Sequence, residues 1–434
     1  MQESICIRHV DKNFNIKEDF VGLYEVSATT GEMLSKVLLD CLTRLQLPIQ
    51  NLRAQTYDGA ANMSGAFKGC QARIKSVQPL ALFHHCGAHI THLVVSKAIV
   101  QAVFMRDALS HVQKLGTLYG NSGNFKKLYL NLDDDPHSNI TSLKPICPTR
   151  WLTRAPAVER VLENYQTVRS SLKEAADNFG TITAVNANGL YTNFSDGKCM
   201  LGLVSSLPIL HCIEKLNKCL QGTSVTVSGM LQAVEMTKEN LQLMRSEANF
   251  NQIFNEALAK IDQYDLEDIP QPRNRKIPKR FASGSEEQFS DSLEARFRND
   301  FYKVLDIAIM HLEEYFKSDD LSQYMQLCNI LLKGEYNDEL VKKYPELSPK
   351  LQSELNFYRT KFDSCNNLED YRVVFSNMVP EVRILFPEVE KLLRLLLLSP
   401  ASSCAAERSF SALKRIKTWL RSTMTQVSRY TQTN

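Results

Sequence analysis

Apolar and polar positions change their period several times along this chain, and each change marks an element. Residues 4–10 and 20–26 alternate, with a turn-rich stretch at 11–15 between them. Period two on either side of a turn predicts a β-hairpin. Met33, Leu34, Val37, Leu38, Cys41, Leu42 and Leu45 then recur at helical spacing, which predicts a helix from Thr30 to about Leu45, stopped by Pro48. Residues 52–57 read as a strand that ends on Asp58 and Gly59. Residues 67–77 continue as helix or loop. The stretch 82–92 leads into an apolar helical run to about Leu109, and places His85, His89 and His92 on one helical face with Cys86 beside them. Residues 118–136 read as a loop-rich transition.

From Thr153 to about Arg383 the pattern is helical. Apolar spacings of three and four recur in 158–175, 200–220, 230–261, 293–316 and 321–332, with Gly180, Gly189, Gly222 and Gly334 between segments. No fixed repeat period is present, so a helical bundle is expected rather than a solenoid. Prolines and bases interrupt the pattern at 270–280. Residues 387–398 form a strongly apolar helix, Pro400 stops it, and Ser402 or Ser403 is placed to cap the next helix, with Glu407 in its first turn. Residues 427–434 are a polar tail.

Composition narrows the classes. The 434 residues allow two to three domains, and 44% hydrophobic with 23% charged residues is ordinary for a globular protein. A net charge of +3 does not by itself announce a nucleic-acid protein. Eleven cysteines without CxxC pairs fit reduced thiols. No N-terminal apolar run resembles a signal peptide, and no 18-residue apolar run predicts a membrane span.

Several residues carry candidate chemistry. Asp58 stands at a strand tip, where open α/β sheets place their chemistry; the plain alternative is a turn Asp bonded to its own backbone. Glu407 has an equally plain alternative, since acids favour a first helical turn. Cys86 and His89 are zinc-ligand types, but a structural zinc needs a second cluster, and none is visible. Arg150 offers a planar fork for phosphate and Trp151 a stacking face, against a half-buried Trp anchoring a helix. Arg273, Arg275, Lys276, Lys279 and Arg280 form the densest basic stretch, a phosphate-binding loop or a solvated charge run. The run Asp133–Asp135 reads as a solvated turn. Leu392, Leu393 and Leu395–Leu398 cannot all face one core on a single helix, so either the chain buries them on several sides or a partner covers the rest.

Four stretches in order carry a resemblance. Tyr57-Asp-Gly-Ala-Ala-Asn-Met-Ser-Gly65, Cys86-Gly-Ala-His89, Cys147-Pro-Thr-Arg-Trp151 and the Ser402-Ser-Cys-Ala-Ala-Glu-Arg-Ser-Phe-Ser411 block resemble hAT transposases, and more closely the domesticated zinc finger MYM-type protein 1-like group. The resemblance implies an RNase H-like α/β core, interrupted by a large α-helical insertion and closed by a C-terminal dimerisation block. The domains expected are 1–152, 153–383 and 384–426. In that family the strand before Ser4 lies mid-sheet and carries the first of three catalytic acids, so this chain is expected to start after it, and its C-terminus to be clipped. Asp58 matches the second acid and Glu407 the third. Residues 4–10 then either pair directly with 51–57 or leave the sheet gapped.

The resemblance further implies DNA contacts at Cys86, His89, Arg150, Trp151 and the basic stretch, and dimerisation through Leu392, Leu393, Leu396, Leu397 and Phe410. Two Mg²⁺ ions about 4 Å apart would need clustered carboxylates, and two acids do not bridge them properly. The expectation is a nuclear, catalytically inactive transposase relative that acts as a homodimer, with DNA a possible partner, no membrane and no cofactor. Two alternatives stand beside it: an active Mg²⁺-dependent transposase or nuclease whose first Asp is lost from the gene prediction, and a helical scaffold that binds protein only.

Overall fold

The computed structural model describes residues 2–132, 143, 146, 153–270, 292–362 and 365–416. In order the chain runs β1 (Gln2–Val10), β2 (Ile16–Glu25), α1 (Gly31–Arg44), β3 (Ala54–Tyr57), α2 (Ala61–Ser64), α3 (Cys70–Val77), β4 (Leu82–His85), α4 (Gly87–Ile99), α5 (Val103–Asn121) and α6 (Gly123–Asn131). It continues as α7 (Arg154–Glu163), α8 (Tyr165–Asn178), α9 (Thr181–Ser195), α10 (Gly197–Leu220), α11 (Val227–Met244), α12 (Glu247–Gln263), α13 (Leu293–Tyr315), α14 (Asp319–Lys333) and α15 (Asp338–Lys343). It ends with α16 (Lys350–Lys361), α17 (Leu368–Asn377), α18 (Pro380–Arg383), α19 (Pro387–Leu398) and α20 (Cys404–Ile416). The protein is mostly helical. Its residues pack into two units, one of 1–90, 218–235 and 313–434, the other of 91–217 and 236–312. This partition follows packing, whereas 1–152, 153–383 and 384–426 follow sequence pattern.

The first unit joins the two ends of the chain. β1 and β2 pair antiparallel, with a bulge between Ile5 and Cys6. The Asp11 carboxylate accepts from the N–H of Asn13 (2.8 Å) and Asn15 (2.9 Å), which closes the hairpin. Phe14 adopts φ +62°, a costly conformation for an aromatic residue. Packing holds it there: the side chain is fully buried, with the guanidiniums of Arg383 and Arg394 4.6 and 4.4 Å from its ring centre. Arg394 also donates to the Asp11 carbonyl at 2.7 Å across 383 residues of sequence. The C-terminal helices thus clamp the N-terminal hairpin.

Thr30 caps α1 by accepting from the Met33 N–H, and Leu34 packs with Val26, Cys70, Ile74 and Ala81 into one core. β3 and β4 pair in parallel. The described strands form two separate two-stranded sheets, β1–β2 and β3–β4, so the sheet is gapped and residues 4–10 do not pair with 51–57.

Helix pattern fails in instructive places. His85 closes β4, and α4 begins at Gly87, so His85 does not share a helical face with His89 and His92. The expected loop at 118–136 is helical to Asn131: the Ser122 hydroxyl accepts from the Phe125 N–H, and Phe125 and Tyr129 are fully buried, which outweighs the nearby glycines. Gly189 lies inside α9, not between helices. The segments 158–175 and 230–261 each break in two, the second where Ser246 caps α12. Gly334 ends α14 at φ +73°, the left-handed cap expected of a glycine.

In the second unit, Tyr165 is fully buried, donates to the Phe194 carbonyl (2.7 Å) and meets the Phe194 ring edge-on. The Glu214 carboxylate accepts from the N–H groups of Arg154 and Ala155, capping α7. The helix Gly197–Leu220 has a membrane-like composition, but 72% of its apolar window is buried inside the protein, as in a core helix.

The apolar helix occupies Pro387–Leu398, as its pattern predicts. The Glu354 carboxylate accepts from the Glu388 N–H at 2.7 Å and so caps its start. Leu392, Leu393, Leu396 and Leu397 have no exposed surface, and Leu395 is 6% exposed. These leucines are therefore corrected from partner-facing to core: α14, α16, α17 and β1 surround the helix and cover them on several sides.

Candidate functional site

The first unit encloses a cavity of about 590 Å³, lined by β1, α1, β3 and the start of α20. Asp58 and Glu407, 349 positions apart in sequence, both line it. Three local arrangements bring them there. The Cys86 N–H donates to the Tyr57 carbonyl (2.8 Å), extending the β3–β4 ladder past its last pair and setting Asp58 beside Cys86. The Gly87 N–H donates to the Ala401 carbonyl (3.0 Å), tying this elbow to the turn before α20. A Cβ on Gly87 would lie 2.9 Å from the Met230 sulfur and 3.2 Å from the Ala401 oxygen, so any larger residue there would have to push these neighbours back. The Ser403 N–H donates to Cys86 Sγ at 3.3 Å, one turn before Glu407.

Charge at the site is concentrated and poorly solvated. Burial, then the nearby Cys86 and Asp58, push the Glu407 carboxyl up to about 8. Burial alone pushes Glu3, on β1 and also lining the cavity, up to about 7. Hydrogen bonds from the Cys404 thiol and Ser403 favour the Cys86 thiolate against its burial, and the same pairing pushes the Cys404 thiol up. Burial, then His89, lower His85, while Asp58 opposes them.

Among the described residues no three His, Cys, Asp or Glu side chains converge to hold a metal ion. Glu3 and Glu18 also line the cavity and were overlooked by sequence reasoning, but Glu18 is paired with Arg8, and the electrostatic neighbours of Glu3 are Tyr57 and Cys70, a set distinct from that of Glu407. Two carboxylates, one of them favouring its neutral form, do not fit a two-metal centre.

Other candidate residues fall as follows. Cys86 is 1% exposed, so it cannot touch a DNA backbone and is corrected to a structural partner of Cys404 and Ser403. His89 opens α4 beside it. Phe410 lines the cavity and stays 40% exposed. Arg150, Trp151, Arg273, Arg275, Lys276, Lys279, Arg280 and the Asp133–Asp135 run lie outside the described residues. Glu3 was detectable in principle: it alternates with buried Ile5 on one face of β1. Cys404 carried no sequence signal, since its role depends on Cys86, 318 positions away.

The raised acids have a consequence for stability. Glu407 holds its proton in the fold far above its usual value of 4.5. The stability it contributes is complete below 4.5 and is lost as pH rises toward 8, because the unfolded chain ionises first. Glu407→Gln, a permanent mimic of the neutral acid, is expected to raise the thermal midpoint relative to the parent above pH 8 and to leave it nearly unchanged below pH 4.5. Melting curves across this range check it, and an equal effect at both ends would refute it.

Comparison with known proteins agrees with the two-ended architecture. Residues 1–69 match the family described as ZMYM1/FAM200, RNase-like domain. Residues 378–432 match the hAT family C-terminal dimerisation region. The chain is similar to the human (Homo sapiens) protein named 52 kDa repressor of the inhibitor of the protein kinase, at 21% identity over 456 residues, covering 97% of this chain and 57% of that protein. The Mus musculus protein of the same name is 20% identical over 457 residues, covering 97% of this chain and 58% of its own length. The chain thus spans less than two thirds of these relatives. With a match to an RNase-like region at one end and to an hAT dimerisation region at the other, in the order its motifs predict, the chain is similar at both ends to transposase-derived proteins of the hAT family.

Proposed function

We propose that this chain is a domesticated hAT transposase relative that has given up catalysis and works in the nucleus by self-association, with DNA or another protein as its partner. The observation that carries the reading is the cavity, which Asp58 and Glu407 both line although 349 positions separate them, while among the described residues no three His, Cys, Asp or Glu side chains are grouped to hold a metal ion. An RNase H-like ancestry accounts for two acids so far apart in sequence sharing one site. The relatives' name describes a repressor, a regulatory role that requires no cleavage.

Self-association is assigned to the exposed part of the dimerisation region. Val379, Ile384 and Leu385 are 55%, 75% and 52% exposed around α18, while the leucines of α19 are buried. Burying a side chain of this size is worth about 1.5–3 kcal/mol. The full chain is expected to sediment as a dimer at micromolar concentration, and Ile384→Asp with Leu385→Asp to weaken the dimer at least tenfold, a loss of about 1.4 kcal/mol. Supercoiled plasmid with Mg²⁺ or Mn²⁺ is expected to stay uncut. A clean monomer would remove the association arm. Cleavage abolished by Asp58→Asn would restore the enzyme reading.

A further inference from the structure

The β1–β2 turn is gripped by side chains from the other end of the chain. Four consecutive carbonyls, from Val10 to Asn13, each accept a hydrogen bond from a side chain beyond residue 375. Arg394 donates to Val10 at 3.4 Å, to Asp11 at 2.7 Å and to Lys12 at 3.2 Å. Arg383 donates to Lys12 at 3.1 Å, and the Ser376 hydroxyl donates to Asn13 at 2.9 Å. Phe14 comes next. Its fully buried ring lies against both guanidiniums and meets the Phe375 ring at 5.6 Å between centres. Glu390 accepts from Arg383 at 2.6 Å and from Arg394 at 2.9 Å, and so holds both arginines over the ring.

The stretch 376–385 contains no buried residue, although Phe375 and Phe386 at its two ends are buried. Its helix, α18, has four residues, too few to hold their shape alone. This stretch nevertheless presents Val379, Ile384 and Leu385, the surface assigned above to self-association. A surface with no core of its own takes its orientation from its flanks and its polar contacts. Arg383 immediately precedes Ile384, and its guanidinium is fixed by the Lys12 carbonyl, the Phe14 ring and Glu390. Phe14 holds its place with φ +62°, which a bulky side chain rarely adopts, so tertiary contacts rather than turn chemistry keep it there.

We propose that the β1–β2 turn is the seat of the dimer surface: Phe14 and Arg394 are positioning residues that hold 376–385 in the shape that a second copy of this chain binds. The inference rests on the association reading above and adds what controls that surface. Phe14 has no exposed surface, so it cannot touch a partner, and its effect on association passes through the arginines. Such coupling is reciprocal, so association in turn steadies the turn.

The experiment measures the dimer dissociation constant of the full chain by sedimentation, at a temperature where circular dichroism shows every variant folded. Phe14→Gly deletes the ring and relaxes the backbone, since glycine accepts φ +62° without strain. It is expected to raise the dissociation constant by about tenfold or more, and Arg394→Met, which leaves the sequence of the turn intact, to do the same. Leu392→Ala, a core change away from the turn, is expected to leave the constant within about twofold. Hydrogen exchange at the amides of Asn13, Phe14 and Asn15, all bonded to Asp11, is expected to slow as the parent passes from monomer to dimer. A dimeric parent whose Phe14→Gly and Arg394→Met variants associate as tightly overturns this inference and leaves the association reading standing. An equal loss of association in Leu392→Ala would reduce Phe14 to a general contribution to stability and overturn it as well, as would exchange at the turn that is independent of concentration. A monomeric parent overturns both readings.

Discussion

Leu392→Ala is expected to lower the free energy of unfolding by about 2–5 kcal/mol. Leu392 is wholly buried on a helix that α14, α16, α17 and β1 enclose. Those elements are fixed in place by polar contacts of their own. The Tyr324 hydroxyl donates to the Leu396 carbonyl at 3.1 Å, and Glu388 accepts from the Ser348 N–H at 2.8 Å. Surroundings pinned in this way cannot collapse into the vacated volume, so the cavity cost adds to the lost burial. For a domain with about 5–15 kcal/mol in hand this is a large fraction. Urea unfolding of the variant measures it, with sedimentation of the folded protein as the companion reading. The expected outcome is a lower midpoint and an unchanged oligomeric state. A variant that keeps its midpoint but loses its dimer would return the leucines to an interface.

This contrast shows what the sequence could and could not reveal. Helical spacing located Pro387–Leu398 to the residue, because Pro387 and Pro400 bound it and the apolar run is unmistakable. What covers the run is a matter of tertiary neighbours, and periodicity carries no such information. The hairpin and α1 were legible because alternation, a turn Asp and a capping Thr all agree locally. His85 was misplaced because a short apolar run reads equally as strand or helix start, and the register of β4 against β3 decides between them. The site was half legible. Motif resemblance named Asp58 and Glu407, and they line one cavity. The gap between the sheets and the Cys86–Cys404 pair arise from segments that are not neighbours in sequence, the cysteines lying 318 positions apart, and no local pattern encodes them.

Arg8→Met is expected to cost about 3–5 kcal/mol, comparable to the loss of a core leucine. Arg8 sits on β1 with 5% of its side chain exposed, and its partner Glu18 on β2 with 11%. One guanidinium makes four connections: to Glu18 Oε1 at 3.0 Å, and to the carbonyls of Leu397 at 3.2 Å, Thr223 at 3.3 Å and Val225 at 2.9 Å. The hairpin, the end of α19 and the chain after α10 are thereby fastened by a single side chain. Methionine fills a similar volume but donates nothing, so the carbonyls lose a donor and, among the described residues, Glu18 keeps an ion pair only with Arg408, at 3.9 Å. An exposed pair would cost little when broken, about 0–1 kcal/mol; burial makes the difference, because the surviving carboxylate stays desolvated without its counter-ion. Adding Glu18→Leu is expected to recover part of the loss, since it removes the stranded charge, while the carbonyls remain unsatisfied. Urea unfolding of the parent, both single variants and the double variant closes the cycle. A loss under about 1 kcal/mol for Arg8→Met would place the pair in the class of solvated surface bridges. Full recovery in the double variant would mean that the carbonyl contacts contribute nothing, and the fastening role of Arg8 would fall with them.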